Sequence, residues 1–319
     1  MNGIRPISRA DVEAARERIA GTVLRTPLVK LQVEGPGCEI YLKLENLQPT
    51  NSFKIRGAAN AVAKLSADAR SRGVWTISAG NAGQGVAYAA RAAGIPSTVV
   101  TIETAPETKV ARMRALGARL VKAPFDECWH AMEQRAFPGV DGTFIHPFDD
   151  DDFIAGNATI GLEILEDLPD VATVLTAFGG GGLIAGVASG LRAGGRADIR
   201  VFGAEPETAA PAHTSFARNA ASAFAAWEPS FVDGAGGKSV FPRMWERIRH
   251  IVTGSIVVSL EDTRRAMRTL AESARVIAEG AGALPVAAAL SGRAGAGRIV
   301  AVVSGGNVDL AKFCELIAQ

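Results

Sequence analysis

The sequence has almost no excess of charge of either sign, because 34 Lys and Arg residues are opposed by 33 Asp and Glu residues. Proteins that bind nucleic acid or a membrane surface through charge usually carry a basic excess, so neither partner is predicted. No apolar run is long enough to span a bilayer. The first residues, Met1–Pro6, lack the apolar core of a signal peptide.

Cysteine and histidine are also scarce. The three cysteines, Cys38, Cys128 and Cys314, are far apart and odd in number, which is typical of reduced thiols in a reducing compartment. We therefore expect a cytoplasmic protein. The four histidines show no spacing typical of metal ligands, and the chain has no fixed-period repeat and no low-complexity linker.

What the sequence does have is a regular alternation of apolar runs and helical patterns. Its 319 residues suffice for two domains or one large α/β domain. Val74–Ile77 reads as a strand followed by a helix over Asn81–Ala93, and Ser97–Thr101 reads as a strand followed by a helix from Pro106. Another strand follows at Arg119–Lys122. Consecutive units of this kind predict a parallel sheet with right-handed crossovers.

The same alternation returns in the second half of the chain, whereas residues 208–255 show little periodicity. The apolar runs are continuous rather than alternating, as expected of parallel strands that helices cover on both faces. A further helix is predicted from the N-cap Ser8 to Ile19. The later strands are predicted at Val171–Ala177, Ile199–Ala204 and Arg298–Val303, and the later helices at Leu183–Ala193 and from Asp309.

Lys54 is unusual because it stands between the large apolar residues Phe53 and Ile55. Alone, it would read as a surface lysine whose stem lies on apolar surface. Three glycine-rich turns, each between an apolar run and a helical pattern, change that interpretation. They are Ser78–Gly85, Gly179–Gly182 and Ser304–Asn307.

The run of four glycines at Gly179–Gly182 follows a predicted strand and precedes a predicted helix. Glycines let the backbone approach a ligand closely, and free amides at a helix N-terminus favour a phosphate dianion. A dinucleotide site and a plain tight turn are the alternatives. The spacing is not Gly-x-Gly-x-x-Gly, because Leu183 follows directly.

Together and in this order, the segment around Lys54 and the three glycine-rich turns resemble those of the fold-type II pyridoxal-phosphate enzymes. The most similar branch is the serine/threonine dehydratase (ammonia-lyase) and serine racemase family, and the resemblance runs from Thr26 to the last helix. It implies an α/β fold like that of the tryptophan synthase β subunit, with two domains that each hold a mainly parallel sheet flanked by helices. Residues 1–72 and 150–319 would form the large cofactor-binding domain, and residues 73–149 a small inserted domain.

The resemblance also implies pyridoxal 5′-phosphate as cofactor. Lys54 would be the catalytic residue, holding the cofactor as a Schiff base and later acting as base or acid. Ser304 would offer the pyridine nitrogen a neutral hydroxyl, which weakens the electron sink and suits elimination. Asn81 would bind the phenolic oxygen. The implied cofactor-binding residues are Phe53, Lys54, Asn81, Gly179, Gly180, Gly181, Gly182, Glu279, Ser304 and Gly305, and the implied substrate loop is Ser78, Ala79, Gly80, Asn81 and Ala82.

Several of these residues have a purely structural alternative. Phe53 could be ordinary core, Ser304 and Asn81 could be helix N-caps, and Glu279 could be a solvated residue at a helix end.

Two positions in the substrate loop depart from the family pattern Ser-Ser-Gly-Asn-His. Ala79 replaces the serine that serves the racemases as acid or base on the far face of the cofactor, so we expect a poor racemase. Ala82 replaces the histidine. Both changes shrink side chains at the substrate end, so a β-aryl or β-carboxy serine becomes a plausible substrate.

A third departure concerns the divalent cation that relatives often bind. Glu205 and the carbonyl of Ala209 stand at two ligand positions, but Pro211 stands where the family has an aspartate. A magnesium site needs several oxygen ligands, so no metal is predicted.

The predicted function is elimination of water and ammonia from a β-hydroxy-α-amino acid, which gives a 2-oxo acid. The alternatives are a β-replacement enzyme, an amino-acid racemase, a dinucleotide-dependent oxidoreductase and a non-catalytic binding protein. The expected partner is a small amino-acid substrate, and the resemblance implies a homodimer.

Overall fold

A computed structural model describes residues 4–33 and 37–318 of the chain. Its helices are α1 (Arg9–Ile19), α2 (Lys54–Ala63), α3 (Ala67–Arg72), α4 (Asn81–Ala92), α5 (Glu107–Ala115), α6 (Phe125–Gln134), α7 (Asp151–Asp167), α8 (Gly182–Ala193), α9 (Pro211–Arg218), α10 (Pro242–Ile248), α11 (Leu260–Ala274), α12 (Gly280–Leu290) and α13 (Leu310–Ala318). Its strands are β1 (Leu28–Lys30), β2 (Cys38–Lys43), β3 (Val74–Ile77), β4 (Ser97–Ile102), β5 (Arg119–Ala123), β6 (Thr143–Phe144), β7 (Thr173–Ala177), β8 (Arg200–Pro206), β9 (Gly254–Val258) and β10 (Gly297–Val302).

The larger sheet has six strands in the order β1-β2-β10-β7-β8-β9. Only β1 runs antiparallel to its neighbour, and the other pairs are parallel. Strand β10, from near the end of the chain, lies between β2 and β7. This order brings the loops after β7 and β10 side by side at one edge of the sheet.

Helices cover both faces of this sheet, and the residues of β10 show why. Val300 and Val302 belong to the apolar core shared with α1, α7, α8 and α10. Ile299 and Ala301 point the other way, into the core shared with α11, α12 and α13. Because successive side chains of a strand alternate between faces, an unbroken apolar run must be covered on both sides.

The smaller sheet has four parallel strands in the order β5-β4-β3-β6. On one face Val99 packs with residues of α4 and α5. On the other, Trp75 and Val100 pack with Cys128 and Ala131 of α6.

The start of α2 is fixed by contacts from both sides. The Phe53 amide donates to the Ser304 carbonyl at 3.0 Å, and Ser52 forms an isolated bridge with Gly305. From the other side, α4 approaches so closely that a Cβ on Gly85 would lie 3.1 Å from the carbonyl carbon of Lys54. Lys54 is thus held between the loop after β10 and the helix after β3.

The α/β fold with two mainly parallel sheets confirms the predicted fold class. The predicted elements occur with ends shifted by a few residues, and Ser8 caps α1 in a capping box with Asp11. The unassigned stretch 208–255 contains α9, α10 and part of β9. The three cysteines are unpaired. Within residues 4–33 and 37–318, no helix has the length and apolarity needed to cross a membrane.

Candidate active site

The predicted site residues meet at the carboxyl ends of parallel strands. The turn Ser78–Gly80 follows β3, the glycine turn Gly179–Gly182 follows β7, and Ser304 and Gly305 follow β10. In open α/β sheets, ligands bind in the crevice outside these strand ends. Helices α2, α4, α8 and α12 all begin nearby, so their N-termini also face this region.

Lys54 begins α2 and is half-buried. Its Nζ donates to the carbonyl oxygen of Pro147 at 2.6 Å and lies 5.1 Å and 5.6 Å from the ring centroids of Phe53 and Phe153. No acidic side chain in the described part of the chain forms an ion pair with it. Burial without a counter-charge lowers the pKa of Lys54 to about 8. A substantial fraction of this amine is therefore neutral near physiological pH.

The glycine turn presents amides that nothing else uses. Within the described ranges, the amides of Gly179, Gly180 and Gly181 donate no hydrogen bond to the protein, and α8 has no side-chain cap. Gly181 has φ 89°, in the left-handed region that favours glycine. Any Cβ on Gly180 would collide with the ring of Phe148. Buried amides rarely lack partners, so this turn is suited to an anionic ligand.

Ser304 is buried, and its hydroxyl has no hydrogen-bond partner among the described residues. Helix α13 begins only at Leu310, so Ser304 is not its N-cap. The Ser52 hydroxyl nearby is also buried without a partner. Two free hydroxyl groups therefore flank the start of α2.

Asn81, Glu279 and Asn307 form a chain of hydrogen bonds across the site. Asn81 Nδ2 donates to Glu279 Oε1 at 2.6 Å, and Asn307 Nδ2 donates to Asn81 Oδ1 at 2.8 Å. Gly305 adjoins this chain so closely that a Cβ there would collide with the Glu279 carboxylate. The side chain of Asn81 therefore does not cap α4, for which Gly80 is the N-cap residue.

Glu279 is buried rather than solvated. Burial, and then the negative charge of Asp233, raise the pKa of its carboxyl to about 7, against the opposing effects of Lys109 and the Asn81 hydrogen bond. This residue can therefore be neutral or charged near physiological pH.

The substrate loop lies at the base of α4. The Ser78 hydroxyl accepts a hydrogen bond from the Gly80 amide at 3.0 Å, and Ser78, Ala79 and Gly80 are half-buried. Ala82 is buried in the first turn of the helix. Lys109 of α5 lies beside the loop, since its Cδ would be 3.6 Å from a Cβ on Gly80.

Sequence reasoning missed a buried ion-pair network behind Lys54. The guanidinium of Arg56 binds Glu45 at 2.8 Å and Glu163 at 2.6 Å, and Lys43 binds Glu163 at 2.7 Å. Burial opposes the charge of Arg56, but the two carboxylates raise its pKa above the ordinary value. A charged residue among the small apolar residues of α2 was the only signal. Its partners are remote in the sequence.

Glu205 is a structural residue in this arrangement. Its carboxylate accepts hydrogen bonds from the amides of Ala212 and His213, both at 2.8 Å, and from the Ser255 hydroxyl at 2.6 Å. Burial raises its pKa to about 7, although these hydrogen bonds oppose the shift. Among residues 4–33 and 37–318, no three His, Cys, Asp or Glu side chains cluster as metal ligands.

Comparison with known proteins identifies the class. Residues 19–305 match the family of pyridoxal-phosphate dependent enzymes, so the chain belongs to that family. It is 42% identical to an L-threonine ammonia-lyase of Thermotoga maritima, covering 98% of this chain and 78% of that one. It is 39% identical to a catabolic L-threonine dehydratase of Staphylococcus aureus, covering 98% and 92%.

Among solved structures, maize serine racemase superposes with a TM-score of 0.88 at 30% identity, covering 98% of this chain and 97% of that one. The family and cofactor predicted from the sequence are thereby confirmed. The residues also fit this cofactor. Unused amides at the N-terminus of α8 suit a phosphate, Lys54 offers an amine whose pKa is lowered to about 8, and Ser304 offers a free hydroxyl.

Proposed function

We propose that this protein is a dehydratase of the ammonia-lyase type, which converts a β-hydroxy-α-amino acid resembling threonine or serine into a 2-oxo acid. The observation that carries the proposal is the half-buried amine of Lys54, which has no acidic partner in the described part of the chain and lies among the turns after β3, β7 and β10. Relatives of 39% and 42% identity named as threonine dehydratase and ammonia-lyase support the same reaction.

The cofactor would be held by the residues that surround this amine. Lys54 would bind it covalently, the amides of the glycine turn would bind its phosphate, and Ser304 would face its ring nitrogen. When bound, pyridoxal phosphate withdraws electrons from Cα of an attached amino acid. Phe53, Asn81, Glu279 and Gly305 would complete the contacts with the ring.

Lys54 would move the proton that the reaction requires. Lys54 would be released when the substrate amine takes its place, and its neutral amine would then accept the proton from Cα of the substrate; the low pKa makes that form available near pH 7. The Cα–H and Cβ–O bonds break, and the hydroxyl leaves as water once it has gained a proton. The resulting enamine hydrolyses to the 2-oxo acid and ammonia, taking back one water, so no oxidant is needed.

The loop Ser78–Ala82 would bind the substrate carboxylate. Ala79 carries no proton to donate from the opposite face of the cofactor, so elimination is favoured over racemisation, although a serine racemase is similar in fold. Exchange of the α-proton of L-serine with formation of D-serine at a rate comparable to ammonia release would contradict this.

We further propose a cytoplasmic homodimer in which residues 73–149 form the small domain. Support comes from the resemblance, from the three unpaired cysteines and from the separate four-stranded sheet. Sedimentation velocity at micromolar concentration would give the oligomeric state, and a monomer would contradict the dimer.

The test is release of 2-oxo acid and ammonia by the holoenzyme from a panel of substrates. The panel contains L-serine, L-threonine, both diastereomers of 3-hydroxyaspartate and both diastereomers of phenylserine. Release from at least one member that Lys54→Ala abolishes would support the proposal. A holoenzyme that releases ammonia from none of them would contradict it and would favour β-replacement.

A further inference from the structure

A cavity of about 240 Å³ adjoins the glycine turn, and the proposed contacts with cofactor and substrate carboxylate do not use it. Gly179, Gly180, Asp233 and Gly234 are among its lining residues, and a Cβ on Gly179 would lie 3.0 Å from the carbonyl oxygen of Gly234. A Cβ on Gly234 would lie 3.6 Å from Glu279 Oε1, and Asp233 is ion-paired with Lys109, which lies beside the substrate loop. The cavity therefore borders the space between the proposed phosphate site, Glu279 and the loop that would hold the substrate carboxylate.

One wall of this cavity is a continuous row of aromatic rings. Phe125 stacks on Trp129 with centroids 6.2 Å apart, and Trp129 meets Phe241 edge-on at 5.3 Å. Phe241 in turn meets Phe148 at 5.3 Å. Phe148 lies against the glycine turn, because a Cβ on Gly180 would collide with its ring. The row thus runs from the partly exposed Phe125 to the proposed phosphate site.

A further ring, Trp227, and a cation, Lys238, also line the cavity. Trp227 is fixed by a hydrogen bond from its Nε1 to the carbonyl of Gly236 at 3.3 Å. The Nζ of Lys238 lies 4.9 Å from the Trp227 centroid and 4.6 Å from the Phe125 centroid, so the ammonium contacts both rings. A cationic ligand group would be repelled by this ammonium, whereas a neutral ring would meet the aromatic row formed by Trp129, Phe241 and Phe148.

We propose that this cavity binds an aromatic β-substituent, so that the preferred substrates are 3-arylserines. This inference rests on the proposed function. A cavity of roughly 150 Å³ lined by apolar side chains suffices to bind benzene, so a volume of about 240 Å³ accommodates a phenyl ring. Phenylserine would give phenylpyruvate and ammonia, with one water lost and one regained.

The decisive measurement compares kcat/KM of the holoenzyme for the phenylserine diastereomers, L-threonine and 3-hydroxyaspartate. We expect one phenylserine diastereomer to exceed L-threonine by at least about tenfold, a ratio within reach of two or more ring contacts. Trp129→Leu and the more exposed Phe125→Leu should each lower the ratio of phenylserine to threonine. Phe216→Leu, which removes a half-buried ring packed on Trp245 instead, is the matched control and should leave the ratio unchanged.

Each other result has a defined meaning. Turnover of L-threonine with a ratio that neither cavity variant changes would overturn the inference and leave the proposed function standing. A preference for 3-hydroxyaspartate would also overturn it, because a carboxylate would then be selected, as Lys238 could do. If no substrate releases ammonia, the proposed function fails, and the cavity is tested by binding of L-phenylalanine and L-alanine, followed by tryptophan fluorescence. Tighter binding of L-phenylalanine that Trp129→Leu abolishes supports the aromatic pocket, and equal binding overturns it.

Discussion

Lys54 and Arg56 lie two residues apart at the start of the same helix, yet their surroundings are opposite. Arg56 is buried and is neutralised by Glu45 and Glu163, and Lys43 completes that cluster. Lys54 is half-buried, and among residues 4–33 and 37–318 its only polar partner is the carbonyl oxygen of Pro147. Its pKa falls to about 8, whereas the pKa of Arg56 rises.

This contrast separates a structural cation from a reactive one. A buried charge that is paired and hydrogen-bonded stays charged and inert, and its removal leaves its partners uncompensated. A cation that is buried without a neighbouring carboxylate gives up its proton readily and becomes a base or nucleophile. The same helix therefore contains both a structural cation, Arg56, and the proposed reactive residue, Lys54.

Replacing Lys54 removes the reactive member of this pair and should have the largest effect on activity. Lys54→Ala removes the proposed base, so turnover should fall by about 10²- to 10⁴-fold. The free energy of unfolding should hardly change, because no ion pair is lost. Coupled measurement of ammonia release and urea denaturation tests both statements. Lys64→Ala, at the other end of the helix, is the control and should keep full activity. A Lys54→Ala enzyme as active as the parent would contradict the assignment.

Replacing Arg56 removes the structural member of the pair and should affect stability. Arg56→Met leaves the buried Glu45 and Glu163 without their shared counter-charge, so the protein should lose about 3–5 kcal/mol of unfolding free energy. The matched control is Arg16→Met, which removes a half-exposed ion pair with Glu166 and should cost less than about 1 kcal/mol. Urea denaturation of the three proteins provides the comparison. Equal midpoints for both variants would mean that the buried network contributes little.

The pH dependence of Lys54 reactivity tests the same comparison without any substitution, because it measures the pKa of this amine against that of surface lysines. In the protein without cofactor, labelling by an amine-selective acylating reagent should rise with pH and level off above a midpoint of about 8. The sign follows because the neutral amine reacts, and a lowered pKa makes it abundant at lower pH. An ordinary lysine has a pKa of about 10.4, so surface lysines should still be rising at pH 9. Quantitative mass spectrometry of the Lys54 peptide gives the midpoint, and a value near 10.4 would show that burial does not affect the amine.

Much of the fold followed from local patterns. Strands β3, β4, β7 and β10 are largely apolar runs next to helices with recognisable starts and ends, and for such elements local preference and tertiary burial agree. The strands β1, β2 and β9 and the helices α9, α10 and α11 were not predicted. Except for α11 they are short, and their packing on remote elements decides their conformation.

The candidate site could be predicted only where residues cluster in short motifs. The three turns and Lys54 are of this kind. The ion pairs of Arg56 could not be predicted from the sequence, because Glu163 is 107 residues away from Arg56 in the chain. Asp149, the first residue of an acidic run, is likewise buried between Arg135 and Arg243, which are remote from it in the sequence. Charge neutralisation by distant residues decides both cases, and local patterns do not report it.

The most direct test of the central claim is to locate the cofactor on the chain. Borohydride reduction of the holoenzyme converts a Schiff base into a stable amine, which digestion and tandem mass spectrometry can assign to one residue. We predict that the pyridoxyl phosphate is found on Lys54 and nowhere else in stoichiometric amount. Its recovery on another lysine, or on none, would contradict the proposal that the unpaired lysine at the start of α2 is the reactive residue of this enzyme.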